Sequence, residues 1–288
     1  MLKEWPLVAF TVLGQMAVGI FLLFHASFLD STDIRAVGWR RTWRIELTVV
    51  IVLVVLASLV SFFHLRHPFR ARYVLANLRS SWLSREVFFE LGFLALVVLI
   101  AVLAWGRVPG RAPVTGLLVA ASLAGILFFI SMTKLYMLST LPAWNDAFTP
   151  LSFFLTTFNL GAIATEIIVY SGGVQGVFGP SLLFNASVFV LLEILLTIFI
   201  APRHGIRGIR SGPSLRPARR YPRLLHWGRI ALLGAGFLFI VAATWTETFD
   251  LMTARGPSPA LILAFIFVLA GEVVGRFQFY GLVARPGD

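Results

Sequence analysis

The chain has 288 residues, of which 58% are hydrophobic and only 13% are charged, and its mean hydropathy is +0.88. Soluble domains average roughly 45–50% apolar and about 25% charged residues, so this composition excludes a soluble globular protein, and the absence of cysteine excludes disulfides and thiolate-bound clusters in this chain. The net charge of +11 is typical of membrane orientation and anionic headgroups in so apolar a chain, and we expect no nucleic acid as a partner.

Apolar runs long enough to cross a bilayer recur along the whole chain. A hydrocarbon core of roughly 30 Å requires about 20 helical residues. The runs that meet this requirement cover residues 5–27, 46–64, 86–105, 113–138, 149–170, 181–201, 228–246 and 259–283. The first run has no cleavable-signal pattern, so we expect it to remain as a helix. The sequence predicts an all-α, polytopic bundle of eight transmembrane helices that forms a single domain over 1–288.

An even number of spans places both termini on one side of the membrane, together with the connections 65–85, 139–148 and 202–227. We call this side the near face. Most lysine and arginine residues fall on it, and the basic loop 202–227 alone contains seven arginines. The positive-inside rule then predicts that the near face is cytoplasmic, although a docked acidic subunit is an alternative reason for so many arginines.

The connection 65–85 predicts an amphipathic interfacial segment. Its apolar residues recur at helical spacing, while its arginines stay in water, namely Arg70, Arg72, Arg79 and Arg85. The first three could dock a partner subunit. His64 precedes this segment and Glu86 follows it, so both lie at the near face by span parity. A histidine and a carboxylate together can accept protons near neutral pH.

Further polar residues approach the same face from other spans. Gln15 lies ten residues after Trp5, or about 15 Å deeper at 1.5 Å per residue. The remaining candidates are Lys134, Tyr136, Trp144, Arg276 and Tyr280. A cavity with a hydrogen-bonding rim and apolar walls suits an isoprenoid quinone, because the ring needs donors and acceptors while the tail needs lipid.

Each candidate also has an ordinary structural explanation. His64 can cap a helix, and Glu86 can complement the N-terminal dipole of its span. The pair Glu272 and Arg276 can be a structural ion pair, and Gly271 and Gly275 a close helix contact. Trp144 can belong to an interfacial belt with Trp5, Trp82 and Trp105. Within the spans, Glu166 and Glu193 can mark a proton path or make interhelical hydrogen bonds.

Several kinds of chemistry lack their motifs. Haem b in a membrane bundle requires facing histidines, and we expect no haem because none of the five histidines is placed well inside a predicted span. We also predict no protein-bound metal. Motifs for nucleotide hydrolysis, serine hydrolases and zinc proteases are absent.

Four strings resemble one family of membrane proteins, the anchor subunits of dimethyl sulfoxide reductase. They are EWPLVAFTVLGQ at the start, FHLRHPFRARYVLANLRSSWLSRE from 63, LPAWNDAFTPLSFFLTTF from 141 and AGEVVGRFQFYG from 270. They occur in the family's order across nearly the whole chain. The pattern differs at Arg66 and His67, where small residues are common, and at Arg85, where asparagine is common.

The resemblance implies an eight-helix anchor without haem in a prokaryotic cytoplasmic membrane. Such an anchor binds menaquinol and passes electrons to an iron–sulfur subunit, which feeds a molybdopterin catalytic subunit. The family's quinol-site histidine matches His64, and its acidic partner matches Glu86. The resemblance gives only weak support for a sulfoxide as the terminal substrate, because related complexes use other substrates or run in the quinone-reducing direction. A small-solute transporter or channel and an anchor that has lost its quinone site are the alternatives.

Overall fold

The computed structural model describes residues 4–30, 39–62, 74–106, 111–139, 144–173, 179–199, 223–249 and 256–281. Within these ranges it is all-helical, with eight helices long and apolar enough to cross a membrane and no strand. The helices are α1 (Trp5–Asp30), α2 (Trp39–Phe62), α3 (Trp82–Trp105), α4 (Arg111–Tyr136), α5 (Phe148–Gly172), α6 (Gly179–Phe199), α7 (Arg223–Phe249) and α8 (Pro259–Gly281). The predicted fold class is confirmed.

Helices α1 and α5 form the centre of the bundle. In their apolar segments 72% and 83% of the residues are buried, against 33% or less in each of the other six helices. The two backbones touch at Gly19 and Gly161, so that a Cβ atom added at Gly19 would collide with the carbonyl oxygen of Thr157. Small residues permit such close contact because bilayer lipid provides no hydrophobic force to press helices together.

The outer helices pack as neighbours in the chain. Helix α2 packs on α1 and α3, α3 on α4, α6 on α5 and α7, and α7 on α8. Helix α8 also contacts α1 and α5, so the C-terminal helix returns to the central pair. This arrangement gathers the near-face ends of α1, α3, α4, α5 and α8 around the polar groups described below.

The turn before α3 is held by polar contacts. Ser81 caps the helix by accepting a hydrogen bond from the backbone nitrogen of Ser84. Arg85 donates to the carbonyl oxygens of Leu78 and Arg79 at 2.9 and 2.6 Å, and its guanidinium lies 4.3 Å from the Trp82 ring centroid. The first turns of α3 are therefore pinned to the residues that precede them.

Several predicted boundaries differ from the observed ones, most of all the start of α2, which is at Trp39 and not at the predicted residue 46. Helix α7 begins at Arg223, five residues before the predicted start of span seven, so the basic loop overlaps it by residues 223–227. The predicted interfacial segment 65–85 is described only from Val74 onward, where a short 3₁₀ turn over 74–77 precedes α3, and α3 itself begins at Trp82. Residues 65–73 and 202–222 lie outside the described ranges, and those parts of the two predictions stay predictions.

Candidate functional site

An aromatic cluster joins α4, the start of α5 and the end of α8 at the near face. The hydroxyl of Tyr280 donates to that of Tyr136 over 2.8 Å, and both side chains are buried. Trp144 stacks on Phe279 with ring centroids 5.3 Å apart, and its indole nitrogen donates to the Phe279 carbonyl over 2.9 Å. The Trp144 side chain is thus tied to α8.

Glu86 lies beside this cluster in the second turn of α3. Its side chain is 2% exposed, and Oε1 has no hydrogen-bond partner among the described residues. The carboxyl group interacts electrostatically with Tyr136, with Tyr280 and with Glu90, one turn further along α3. A buried carboxyl oxygen without a partner is a candidate acceptor for a ligand or a water molecule.

Arg276 extends the near-face cluster deeper into the bundle. Its guanidinium donates to Gln15 Oε1 over 2.7 Å and to Thr156 Oγ1 over 3.0 Å, and it lies 3.7 Å from the centroid of the Phe153 ring. Arg276 occupies the amide oxygen of Gln15. The amide nitrogen of Gln15 has no partner in the described structure. The predicted residues Gln15 and Arg276 are therefore in direct contact, although they are 261 positions apart.

A second set of charged residues continues from Thr156 across α8, α7 and α6. The Thr156 hydroxyl contacts Glu272 Oε2 at 2.8 Å, and Glu272 lies 3.7 Å from the guanidinium of Arg229. The same guanidinium binds Glu193, which also accepts a hydrogen bond of 2.8 Å from Asn159. We call Gln15, Arg276, Thr156, Glu272, Arg229, Glu193 and Asn159 the buried network.

Sequence reasoning found only part of this network. It proposed an ion pair between Glu272 and Arg276, whereas the structure places the Thr156 hydroxyl between these two side chains. The sequence pattern indicates no partner for Glu193 and does not single out Arg229. An arginine six residues inside α7 was the available signal, because an ionised group at that depth requires a partner.

The other predicted site residues fall in different places. His64, Arg70 and Arg72 lie outside the described residues, so their predicted roles stay predictions. Arg79 and Lys134 are exposed, which leaves Arg79 accessible to a partner and keeps the Lys134 ammonium group out of the buried cluster. Six of the predicted residues converge near one end of the bundle, from α1, α3, α4, α8 and the turn before α5. They are Gln15, Glu86, Tyr136, Trp144, Arg276 and Tyr280.

One histidine is buried within the bundle. His25 is 2% exposed within α1, where its Nδ1 lies 2.8 Å from the Phe21 carbonyl oxygen and 3.9 Å from Glu46 Oε1. It lies next to the end of the membrane-spanning segment Trp5–Ala26 and not well inside that segment. Among the described residues no group of three His, Cys, Asp or Glu side chains could hold a metal ion. The prediction of no haem stays a prediction.

The near-face cluster combines buried polar atoms that lack partners with closely packed aromatic rings. Glu86 offers a buried acceptor and Gln15 a buried donor, neither of which has a full set of partners in the described structure. The rings of Tyr136, Trp144 and Phe153 provide apolar walls. An arrangement with few polar groups inside an apolar lining is typical of small-molecule sites.

The fold and this cluster define a multi-pass integral membrane protein with a hydrogen-bonding site inside the bundle near one membrane face. The family model of the DMSO reductase anchor subunit (DmsC) matches residues 1–282, and the chain belongs to this family. It is therefore a membrane anchor subunit of a bacterial reductase complex, a role that implies catalytic and electron-transfer partner subunits.

Two similar proteins match this sequence almost from end to end. The anaerobic dimethyl sulfoxide reductase protein YnfH of Escherichia coli is 32% identical, over 99% of this chain and 96% of its own length. The C subunit of the anaerobic dimethyl sulfoxide reductase of the same bacterium is 30% identical over the same shares. The corresponding C subunit of Haemophilus influenzae is 35% identical over 54% of each protein. The resemblance stated from the four sequence strings is confirmed.

Proposed function

We propose that this anchor subunit oxidises menaquinol at the near face and passes the electrons to an iron–sulfur subunit, which supplies a molybdopterin catalytic subunit. The convergence of Glu86, Tyr136, Tyr280, Arg276 and Gln15 in one buried cluster carries this proposal. Polar groups are costly inside a membrane bundle, so a cluster that joins several helices and leaves polar atoms unpaired indicates a binding site.

The residues of the cluster fit the chemistry of a quinol. Bound menaquinol would supply two electrons and two protons. Glu86 would accept a proton, with His64 as its partner base, and Gln15 would donate a hydrogen bond through its amide nitrogen. The Arg276 guanidinium would stabilise negative charge that develops in the pocket. The electrons must leave for a partner subunit, because this protein has no cysteine to hold an iron–sulfur cluster.

The packing of α2 on α3 supports the pairing of His64 with Glu86. Ser58 of α2 donates to Glu90 of α3 over 2.6 Å. These neighbouring helices run in opposite directions, so four residues further along α2 brings Phe62 level with Glu86. His64 follows Phe62 by two residues in the sequence.

The near face also suits a docked partner. Arg79 and Arg223 are exposed there. In the sequence, Arg70 and Arg72 of the connection 65–85 and the remaining arginines of the basic loop 202–227 add positive charge. An iron–sulfur subunit with an acidic surface would be attracted to this face and oriented by it. We propose that this face, with both termini, is cytoplasmic, because the positive-inside rule favours that orientation.

Other functions would use the same fold differently. A related anchor could serve another terminal substrate or reduce quinone, and the cluster residues would then work in the reverse direction. Membership of the anchor family argues against a transporter or channel. An anchor whose quinone site has been lost would tolerate substitutions of the cluster residues.

The substitution His64→Ala tests the proposal. It removes a group able to accept a proton near pH 7 and introduces no new polar group. We expect the complex to assemble and to keep full activity with an artificial soluble electron donor, while turnover with menaquinol falls by about 10²-fold or more. His67→Ala is the matched control and should leave both activities unchanged.

The two electron donors separate the possible explanations. Loss of both activities in His64→Ala would show that the residue is needed for assembly. Unchanged menaquinol turnover would contradict the assignment of His64 to the quinol site.

A further inference from the structure

The buried network contains polar atoms that its own side chains do not satisfy. Gln15 Nε2 and Arg229 Nε lack acceptors, and Glu272 Oε1 and Asn159 Oδ1 lack donors, among the described residues. All four atoms are buried, in side chains that belong to α1, α5, α7 and α8. Unpaired buried donors and acceptors in one network are typical of a site that holds internal water molecules, each of which needs two to four polar partners.

The network also has the connectivity of a proton relay. A guanidinium group cannot release a proton in a protein, so Arg276 and Arg229 can only orient their neighbours, and a proton that enters the network has to reach the Thr156 hydroxyl through internal water. The Thr156 hydroxyl accepts a hydrogen bond from Arg276 and can donate to Glu272 or to the Ser152 carbonyl, 2.9 Å away. It therefore lies between the pocket side of the network and its carboxylates.

The charges of the network balance in pairs. Glu193 of α6 and Glu272 of α8 share the guanidinium of Arg229, while Arg276 is the second cation. The neighbouring titratable groups that interact with them are His226, near Arg229 on α7, and Tyr136 of α4 and Tyr280 of α8, near Arg276. The network residues of α1 and α5 are uncharged. One added proton would sit on one of two carboxylates that share a cation, which is a suitable place to hold it transiently.

A second buried hydroxyl group lies one turn beyond Glu193. Thr197 is fully buried, its hydroxyl has no partner among the described residues, and α6 ends two residues later at Phe199 on the near-face side. Residues four apart lie on the same side of a helix, so Glu193 and Thr197 share one side of α6.

We propose that the buried network is a hydrated proton-holding site, which takes up one of the two protons released by quinol oxidation and returns it to the near face along α6. This inference rests on the proposed function for the source of the proton. The balance is simple: two electrons leave to the partner's iron–sulfur cluster, one proton goes to His64 and Glu86, and the other binds a carboxylate oxygen of Glu272 or Glu193. That proton then leaves by exchange with water, and no other bond is broken.

The holding site can be tested without quinol. The full chain in lipid nanodiscs is titrated by infrared spectroscopy, which detects the carbonyl stretch of a protonated carboxylic acid. We expect Glu193→Gln to remove a titrating acid signal, and Glu46→Gln, which changes a buried carboxylate outside the network, to leave that signal in place. A wild-type signal that Glu193→Gln and Glu272→Gln both leave unchanged would overturn the proposal.

The relay is tested in the whole complex with Thr156→Val and its matched control Thr165→Val. Both residues are buried on α5, and valine conserves their shape, but only Thr156 contacts Arg276 and Glu272. We expect Thr156→Val to slow menaquinol turnover by about 10²-fold and Thr165→Val to leave it nearly unchanged, with artificial-donor activity retained in both. Equal rates in the two variants would overturn the relay.

The two experiments separate this inference from the proposed function. If His64→Ala keeps menaquinol turnover, the quinol assignment fails, while the infrared titration still decides whether the network holds a proton. If His64→Ala loses menaquinol turnover and the infrared signal depends on neither Glu193 nor Glu272, the proposed function stands and the proton-holding site is wrong.

Discussion

At the scale of single residues, the site depends on side chains that satisfy one another's charge in the membrane interior. Arg229 shows this most clearly, because its guanidinium lies against Gly275 of α8, where an added Cβ atom would come within 2.5 Å of it. Because Gly275 has no side chain, the Arg229 guanidinium has room to reach Glu193 and Glu272. Gly271, one turn away, provides the same close contact for Leu233.

Gly275→Ala is expected to displace the Arg229 guanidinium and leave Glu193 without its cation. Removing one member of a buried ion pair typically costs about 3–5 kcal/mol, and the flexible arginine should recover part of this. We expect a lower unfolding temperature for the chain in detergent. Gly234→Ala on α7 is the matched control, because no atom lies within 4 Å of a Cβ added there. Equal stability of the two variants would show that Arg229 does not depend on this space.

At the scale of helices, the contact between α1 and α5 positions the whole site. These helices carry Gln15 and Thr156, which both bind Arg276 of α8. Their closest approach is at Gly19 and Gly161, where a Cβ added at Gly161 would lie 2.6 Å from the backbone carbon of Gly19. Backbone atoms cannot rotate away as a side chain can, so this contact tolerates no larger residue.

Gly161→Ala should push α1 and α5 apart and destabilise the chain by about 1–3 kcal/mol, the usual cost of overpacking a core. Thermal unfolding in detergent, followed by the loss of monodisperse protein, measures this effect. Gly92→Ala is a suitable control, since a Cβ on that residue would meet nothing within 4 Å. The helix contact would be refuted if Gly161→Ala were as stable as Gly92→Ala.

The helices were predictable from sequence because each is a long apolar run, whereas their contacts were not. Six of the predicted near-face residues lie in one cluster, since span parity alone brings the helix ends to one face. The bond between Arg276 and Gln15 and the pairing of Glu193 with Arg229 depend on which helices are neighbours. Hydropathy carries no information on that order, and the start of α7 was missed because Arg223 and His226 interrupt its apolar pattern.

At the scale of the whole molecule, one face combines the buried site with a surplus of positive charge. Arg79 is exposed close to α3, whose second turn holds Glu86, so a subunit docked there would lie near the proposed quinol site. Docking and electron transfer would then share one side of the membrane. In the other six helices a third or less of the apolar segment is buried inside the bundle.

If arginines hold the partner subunit, salt should release it from the membrane. Exposed charge pairs are screened over about 8–10 Å at physiological ionic strength and over about 3 Å in molar salt. We expect washing at molar salt to strip the iron–sulfur subunit, and a variant with Arg70, Arg72 and Arg79 changed to glutamine to lose it at lower salt. Retention of the subunit by both would indicate an apolar interface.

The central claim is that quinol binds among the near-face ends of α3, α4 and α8. A photoreactive azidoquinone added to membranes that contain the complex would label its site, and mass spectrometry of the peptides would locate the label. We predict labelling of peptides that contain Glu86, Tyr136 or Tyr280, and loss of the label when excess menaquinone is added. Labelling confined to the opposite ends of these helices, around Trp105 or Pro259, would contradict the account.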